Sequence, residues 1–311
     1  MSDAVTTRGL TKRYGSFTAL ESLDLTVGAG SIEGLIGANG AGKTTTLRLL
    51  LDLLRPTRGT VLVLGDDPRT AGPALRRRIG YIPGALRLDG RAHGRTMLDH
   101  FAEISGPVPP GSIDALAERL DADLGRPLRS LSKGNKQKIG IIQAFMHRPE
   151  LLVLDEPTTG LDPLAQREFL EMVREASNKG QTVLLSSHIL SEVQHVADNV
   201  TILSAGRVVA DNTVASLRLA QVRHVRASID GVAASELRLE LSSTSSLSSL
   251  DLSGTRPAHL TVTVDGDIDP LIKVLARHHV LELTVEEPDL EESVLRLYAP
   301  QGADLPSRRH E

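Results

Sequence analysis

Residues 5 to 27 alternate apolar and polar positions, with Leu20, Leu23, Leu25 and Val27 on the apolar side. That pattern predicts half-buried antiparallel strands. It changes at residues 32–36, an apolar run broken only by Glu33 and Gly34. Beyond a glycine-rich loop, Leu47, Leu49, Leu50, Leu51, Leu53 and Leu54 form the broad apolar face of a helix, which Arg55-Pro56-Thr57-Arg58-Gly59 stops. A strand over 61–64, a solvated helix end at 76–78 and a short strand over 79–82 follow. From Leu86 to about Arg148 the chain reads as helical, with Pro/Gly breaks at 106–111 and 125–127 and a serine cap at Ser112. This span is a helical subdomain, about 85–148, inserted into a sheet domain.

Two continuous apolar runs, Leu151 to Leu154 and Val183 to Leu185, predict strands buried on both faces of a parallel sheet. An amphipathic helix over 164–178 separates them. A helix over 189–198 and strands over 200–203 and 207–210 complete a first domain, 1–219. Past it the pattern reads strand 222–229, helix 233–241, a serine-rich loop 242–249 and short strands 250–253 and 259–264. A helix from Asp269-Pro270 through His278, a strand over 280–285 and a helix over 290–298 follow. The order β-α-β-β-α-β predicts a small ferredoxin-like domain over 220–299. Residues 300–311 are expected to be a disordered tail.

Composition sharpens this picture in three places. Aromatic residues are only 2% of the 311, so the cores must be built from Leu, Val, Ile and Ala. A net charge of −4 argues against a general nucleic-acid binder, and the absence of cysteine excludes disulfides and thiolate metal sites. Met1 to Leu10 holds no apolar signal core, and nowhere do about 18 apolar residues run together, so a membrane role would come through a partner.

The candidate chemistry begins with Gly37-Ala38-Asn39-Gly40-Ala41-Gly42-Lys43-Thr44-Thr45, set between strand and helix. This is the order a phosphate-binding P-loop requires. In such a loop backbone amides would turn inward around a polyphosphate, the helix start would add its positive dipole end, Lys43 would reach the β- and γ-phosphates and Thr44 would hold Mg²⁺. Asp155 and Glu156 end a buried strand where ligands bind in such sheets; Asp155 would serve Mg²⁺ and Glu156 the attacking water. Tyr14 offers a ring for stacking on a base, or fills a gap in a small sheet. Residues 131–138 open a helix with a glycine-containing loop, either a second anion site or an ordinary capped helix. His188 ends another buried strand, as a γ-phosphate contact or by coincidence.

Taken in order and spacing, Tyr14, the P-loop, the loop at 131–135, Asp155-Glu156, the loop 160–162 and His188 resemble the nucleotide-binding subunits of ABC transporters over residues 5 to about 219. The resemblance implies an α/β P-loop NTPase fold: a RecA-like core, an antiparallel β subdomain and a helical subdomain. It implies two subunits sandwiching two ATPs, with Tyr14 on adenine, Asp155 serving Mg²⁺, Glu156 catalytic and His188 sensing the γ-phosphate. Ser132, Gly134 and Asn135 would complete the partner's site, and Asp162 would lie at the subunit contact. The C-terminal appendage resembles those of daunorubicin- and tetronasin-type exporter ATPases. That implies a homodimer at the cytoplasmic face of the plasma membrane, bound to an ABC-2-type permease that exports a drug, antibiotic or other amphiphile.

Three alternatives stand beside this one: a soluble ABC ATPase acting on nucleic acid or ribosomes, an importer ATPase and a non-catalytic nucleotide switch. Two positions depart from the family pattern. The signature serine is followed by Lys133-Gly134-Asn135 rather than Gly-Gly-Gln, and Gly84 stands where a glutamine normally follows the proline. Either a residue within 87–89 replaces that glutamine or metal coordination relies more on water.

Overall fold

Apolar runs that alternate with polar positions form one antiparallel sheet, and runs that do not alternate form a buried parallel one. In the computed structural model, residues 3–88, 90–214, 222–242 and 247–286 are described. The chain divides into two compact units, Met1–Val214 and Ala215–Glu311. In the first, β1 (Asp3–Tyr14) and β2 (Phe17–Gly28) form a hairpin whose register sets Tyr14 opposite Phe17. All five residues of β3 (Ile32–Ile36) are buried, and α1 (Lys43–Leu50) follows the glycine loop. β4 (Arg58–Val63) returns to pair with β1, giving the sheet order β2-β1-β4.

Next come α2 (Pro68–Arg76), N-capped by Asp67, and β5 (Ile79–Ile82). The helices α3 (Gly94–Ser105), α4 (Ser112–Arg119) and α5 (Lys133–Phe145) occupy the span read as a helical subdomain. β6 (Leu151–Asp155), α6 (Pro163–Asn178), β7 (Thr182–Ser187), α7 (Leu190–Val196), β8 (Asn199–Ser204) and β9 (Arg207–Thr213) complete the unit. The central sheet runs β5-β6-β7-β3-β8-β9, parallel except for the antiparallel β9. β6, β7 and β3 are therefore neighbours, and their C-terminal ends carry the acids, the histidine loop and the P-loop side by side. Ligands bind at such strand ends.

Because side chains alternate along a strand, β6 feeds two cores. Leu152 and Leu154 join Ile142, Phe145 and Phe169 on one face, where Phe145 and Phe169 meet edge-on at 6.2 Å. Leu151 and Val153 join Leu10, Leu25, Leu47 and Leu50 on the other. Arg119 of α4 holds Glu175 of α6 through two bonds of 2.8 and 2.9 Å and also bonds Glu168, fastening α4 to α6.

β3 carries an unusual buried acid. Glu33 is 2% exposed, and its Oε1 accepts a hydrogen bond from Thr201 Oγ1 at 2.8 Å. Burial pushes its carboxyl up to about 7; the Thr201 bond opposes the rise, while Asp211 and Asp198 add to it. The folded chain therefore binds a proton more tightly than the unfolded one, so stability falls as pH rises from about 4.5 to 7. That rise corresponds to about 3 kcal/mol above pH 7. Glu33→Gln is expected to raise the urea midpoint at pH 8 and to leave it near wild type at pH 4. Equal shifts at both pH values would contradict the assignment.

In the second unit β10 (Val222–Asp230), α8 (Ala234–Leu241), β11 (Leu247–Ser253), β12 (Ala258–Asp265), α9 (Asp269–Leu275) and β13 (His279–Glu286) follow in the order β-α-β-β-α-β. The antiparallel sheet order β11-β12-β10-β13 is ferredoxin-like. Val225, Ile229, Leu260 and Val262 pack with Leu237 and Leu271 of the two helices. One local expectation is corrected: 247–249, read as part of a serine-rich loop, belongs to β11. Leu247 packs on the core, and Ser249 Oγ donates to Thr263 Oγ1 of β12 at 2.8 Å, so the serine is satisfied inside the sheet. α9 also stops at Leu275, short of His278. The expected helix over 290–298 and the tail 300–311 lie outside the described residues.

Candidate functional site

The glycine loop reaches α1 through Gly42, whose φ of 111° no side-chain-bearing residue adopts readily. α1 starts without a side-chain cap, which leaves its first amides free for an anion. Lys43 is 5% exposed and turns its ammonium back onto the loop, donating to Gly37 O at 2.6 Å and Ala38 O at 3.3 Å. Its Nζ also lies 3.7 Å from Glu156 Oε1. A cavity of about 220 Å³ opens here, lined by Tyr14, Phe17, Asn39, Gly40, Ala41, Gly42, Lys43, Thr44, Thr45 and Glu156 among others.

The two acids behave differently. Asp155 is fully buried, and its Oδ1 accepts from Thr44 Oγ1 at 3.1 Å and Ser186 Oγ at 2.7 Å. Its Oδ2 is buried and finds no hydrogen-bond partner among the described residues. An idle carboxylate oxygen beside a threonine hydroxyl is the oxygen donor set that a hard divalent cation such as Mg²⁺ takes, so these residues fit the metal. Glu156, one residue on, has φ 47°, a left-handed conformation costing about 1–2 kcal/mol outside glycine. Its amide is held by Ser186 O and Ser186 Oγ, both at 3.1 Å. The turn swings its carboxylate to the cavity wall, where His188 Nδ1 stands 3.4 Å away.

The other predicted residues lie elsewhere in the chain. Ser132 N-caps α5, accepting from Asn135 N at 3.1 Å. Both polar atoms of the Asn135 amide are engaged: Oδ1 accepts from Asp123 N and Nδ2 donates to Asp123 O, each at 2.8 Å. Within one chain this side chain ties the start of α5 to the backbone of Asp123, twelve residues earlier. Gly134 backs onto the Gly160 carbonyl and the Lys133 stem lies along Gly160. Asp162 N-caps α6, and the Ala165 amide holds its carboxyl below the usual range. Among the described residues lining the cavity, none belongs to 131–135 or is Asp162.

Gly84 proves to be a packing position. A Cβ there would stand 2.9 Å from Asp155 Oδ2, closer than side-chain carbons come, so glycine lets the 82–84 turn lie on the acid. Of the residues weighed as a replacement for the missing glutamine, Arg87 is exposed and Asp89 lies outside the described residues.

Two participants escaped the sequence reading. Ser186 holds both acids at once, a role that strand pairing creates and no motif announces. Phe17 is 63% exposed beside the 46%-exposed Tyr14, over which Lys12 Nζ sits 4.9 Å from the ring centroid. An exposed aromatic opposite Tyr14 in a hairpin was the available signal. Base–aromatic stacking is worth about 1–3 kcal/mol, so Phe17→Ala is expected to raise the ATP Kd about fivefold or more. Equilibrium titration checks this, and an unchanged Kd would remove Phe17 from the base platform.

The family described as ABC transporter matches residues 20–159. A daunorubicin resistance ATP-binding protein of Streptomyces coeruleorubidus is 40% identical over 220 residues, 69% of this chain and 70% of the relative. The daunorubicin/doxorubicin resistance ATP-binding protein of Streptomyces peucetius is 34% identical over 86% of this chain and 78% of its own. A bacitracin transport ATP-binding protein of Bacillus licheniformis is 37% identical over 68% of this chain and 70% of its own. The solved structure of an ATP binding subunit of an ABC transporter superposes with a TM-score of 0.64 at 33% identity, covering 69% of this chain and 92% of that one. With its P-loop, paired acids and histidine assembled at adjoining strand ends, the chain belongs to the ABC transporter family, as an ATP-binding subunit that hydrolyses ATP.

Proposed function

We propose that two copies of this chain close over two ATP molecules and drive a separate ABC-2-type permease that exports a drug, antibiotic or related amphiphile. The observation that carries this reading is the separation of the site into two parts within one chain. The cavity holds the P-loop, Glu156 and the aromatic pair, while Ser132 and Gly134 project from the start of another helix. A second subunit supplies the missing half. The names of relatives active in drug and antibiotic resistance or transport support export and a permease partner.

In this site Lys43 and the loop amides grip the phosphates, and Tyr14 and Phe17 receive the base. Thr44 and Asp155 would hold Mg²⁺, which would supply charge neutralisation on the phosphates. Glu156 accepts the proton of the attacking water, and His188, beside it, contacts the γ-phosphate. Positioning and charge complementarity supply most of the acceleration in such chemistry. Lys133 adds a cation next to the signature glycine, facing the partner's nucleotide, and Asp162 lies at the subunit contact. Asn135 serves by shaping its loop. The ferredoxin-like unit stabilises or regulates the dimer, which sits at the cytoplasmic face of the membrane through its permease.

The test is purification of the full chain from membranes, identification of the membrane protein that accompanies it, and efflux of daunorubicin from cells carrying both, either or neither. Efflux only with both is expected. A chain that brings down no membrane protein would contradict the proposal.

A further inference from the structure

Glu192 lies in the first turn of α7, is 8% exposed, and has no part in the chemistry above. Its Oε2 accepts two buried hydrogen bonds, from Thr158 Oγ1 at 2.9 Å and from Ser187 Oγ at 3.0 Å. Thr158 comes two residues after Glu156, and Ser187 immediately precedes His188. The same Ser187 hydroxyl accepts from Ile189 N at 2.9 Å, which fixes the turn that carries the histidine. One carboxylate oxygen thus ties together the two loops whose side chains, Glu156 and His188, meet at 3.4 Å.

A glutamate in a helix's first turn commonly does no more than favour the dipole from solvent. Glu192 is turned inward instead, and its Oε1 is buried with no hydrogen-bond partner among the described residues. Leaving an acceptor idle in the interior works against stability, so stability alone does not account for a carboxylate here. What it gains is a common anchor for two segments 29 residues apart in sequence, Thr158 and Ser187.

We propose that Glu192 is a positioning residue for ATP hydrolysis: by joining Thr158 to Ser187 it sets Glu156 and His188 at one spacing around the γ-phosphate. This rests on the roles given to Glu156 and His188 above. Loss of the tether lets the two loops drift independently. Binding, which depends on the P-loop and the aromatic pair, stays in place.

The test uses the full chain, measuring kcat and KM for ATP, affinity for N-methylanthraniloyl-ATP, and the melting temperature. Glu192→Ala is expected to lower kcat on the order of 10²-fold, as a misplaced catalytic group does, with KM and affinity within about threefold of wild type. Glu192→Gln keeps a carbonyl oxygen able to accept from both hydroxyls and is expected to restore most of the rate. Thr158→Val combined with Glu192→Ala should be no slower than Glu192→Ala alone. Wild-type kcat in Glu192→Ala, equal damage in the alanine and glutamine variants, or affinity lost in step with rate would each overturn the proposal. If the alanine variant does not fold, Thr158→Val and Ser187→Ala decide: slowed kcat with retained affinity supports the tether, and wild-type kcat in both rejects it. Glu156→Gln, run in parallel, separates the two layers. Retained turnover there rejects the role of Glu156, whereas a dead Glu156→Gln beside fully active Glu192 variants rejects only the tether.

Discussion

Glu156→Gln in the full chain is expected to cut kcat for ATP hydrolysis about 10³-fold while leaving ATP affinity within a few-fold of wild type, the loss typical of removing a positioned general base. The geometry argues for a change confined to chemistry. Glutamine fits the same left-handed turn, and the backbone amide that Ser186 holds at 3.1 Å is untouched. Lys43 keeps its bonds to Gly37 O and Ala38 O, so the phosphate grip survives. The capacity to take a proton from water at the cavity wall disappears. Steady-state turnover assays check it. Turnover near the wild-type rate would move the base elsewhere, whereas wild-type protein that binds ATP without turning it over would favour a nucleotide switch.

The second large effect belongs to Lys43. Lys43→Ala is expected to weaken ATP binding on the order of 10²-fold or more, since charge-assisted hydrogen bonds each contribute about 1.5–3 kcal/mol and the ammonium is nearly sealed from water. The ammonium lies on two loop carbonyls and faces Glu156 at 3.7 Å, at the centre of the loop. Removing it leaves the loop without its central cation. Equilibrium binding with labelled ATP measures the change, and undiminished affinity would count against this loop as the phosphate site.

These two residues were legible because their chemistry is local. The P-loop is nine consecutive residues that run from the end of a strand into the first turn of a helix, and the acids end an unmistakable apolar run. The same locality exposed the β-α-β-β-α-β order of the second unit. Features made by pairing between distant strands stayed hidden. Ser186 meets Asp155 and Glu156 only because β6 and β7 are neighbours. Glu192 joins two loops from a helix that the sequence shows only as an element over 189–198. Asn135 looked like a shortened nucleotide contact until Asp123 lay beside it. Gly84 looked like a lost ligand, whereas its lack of a side chain is what lets the turn rest on Asp155. Glu33 stood out only as a break in an apolar run, and its burial shows once the sheet is complete. Residues 247–249 misled for a composition reason: serine marks loops on average, yet here a hydroxyl pair across two strands accommodates it.

Sedimentation velocity of Glu156→Gln with saturating ATP and Mg²⁺ tests most directly whether the divided site is completed by a second copy. Nucleotide that cannot be hydrolysed should hold the closed pair, so the predicted result is a dimer that reverts to monomer when ATP is withdrawn and fails to form when Lys43→Ala is added. A monomer that binds ATP and Mg²⁺ fully, or a dimer indifferent to nucleotide, would contradict it.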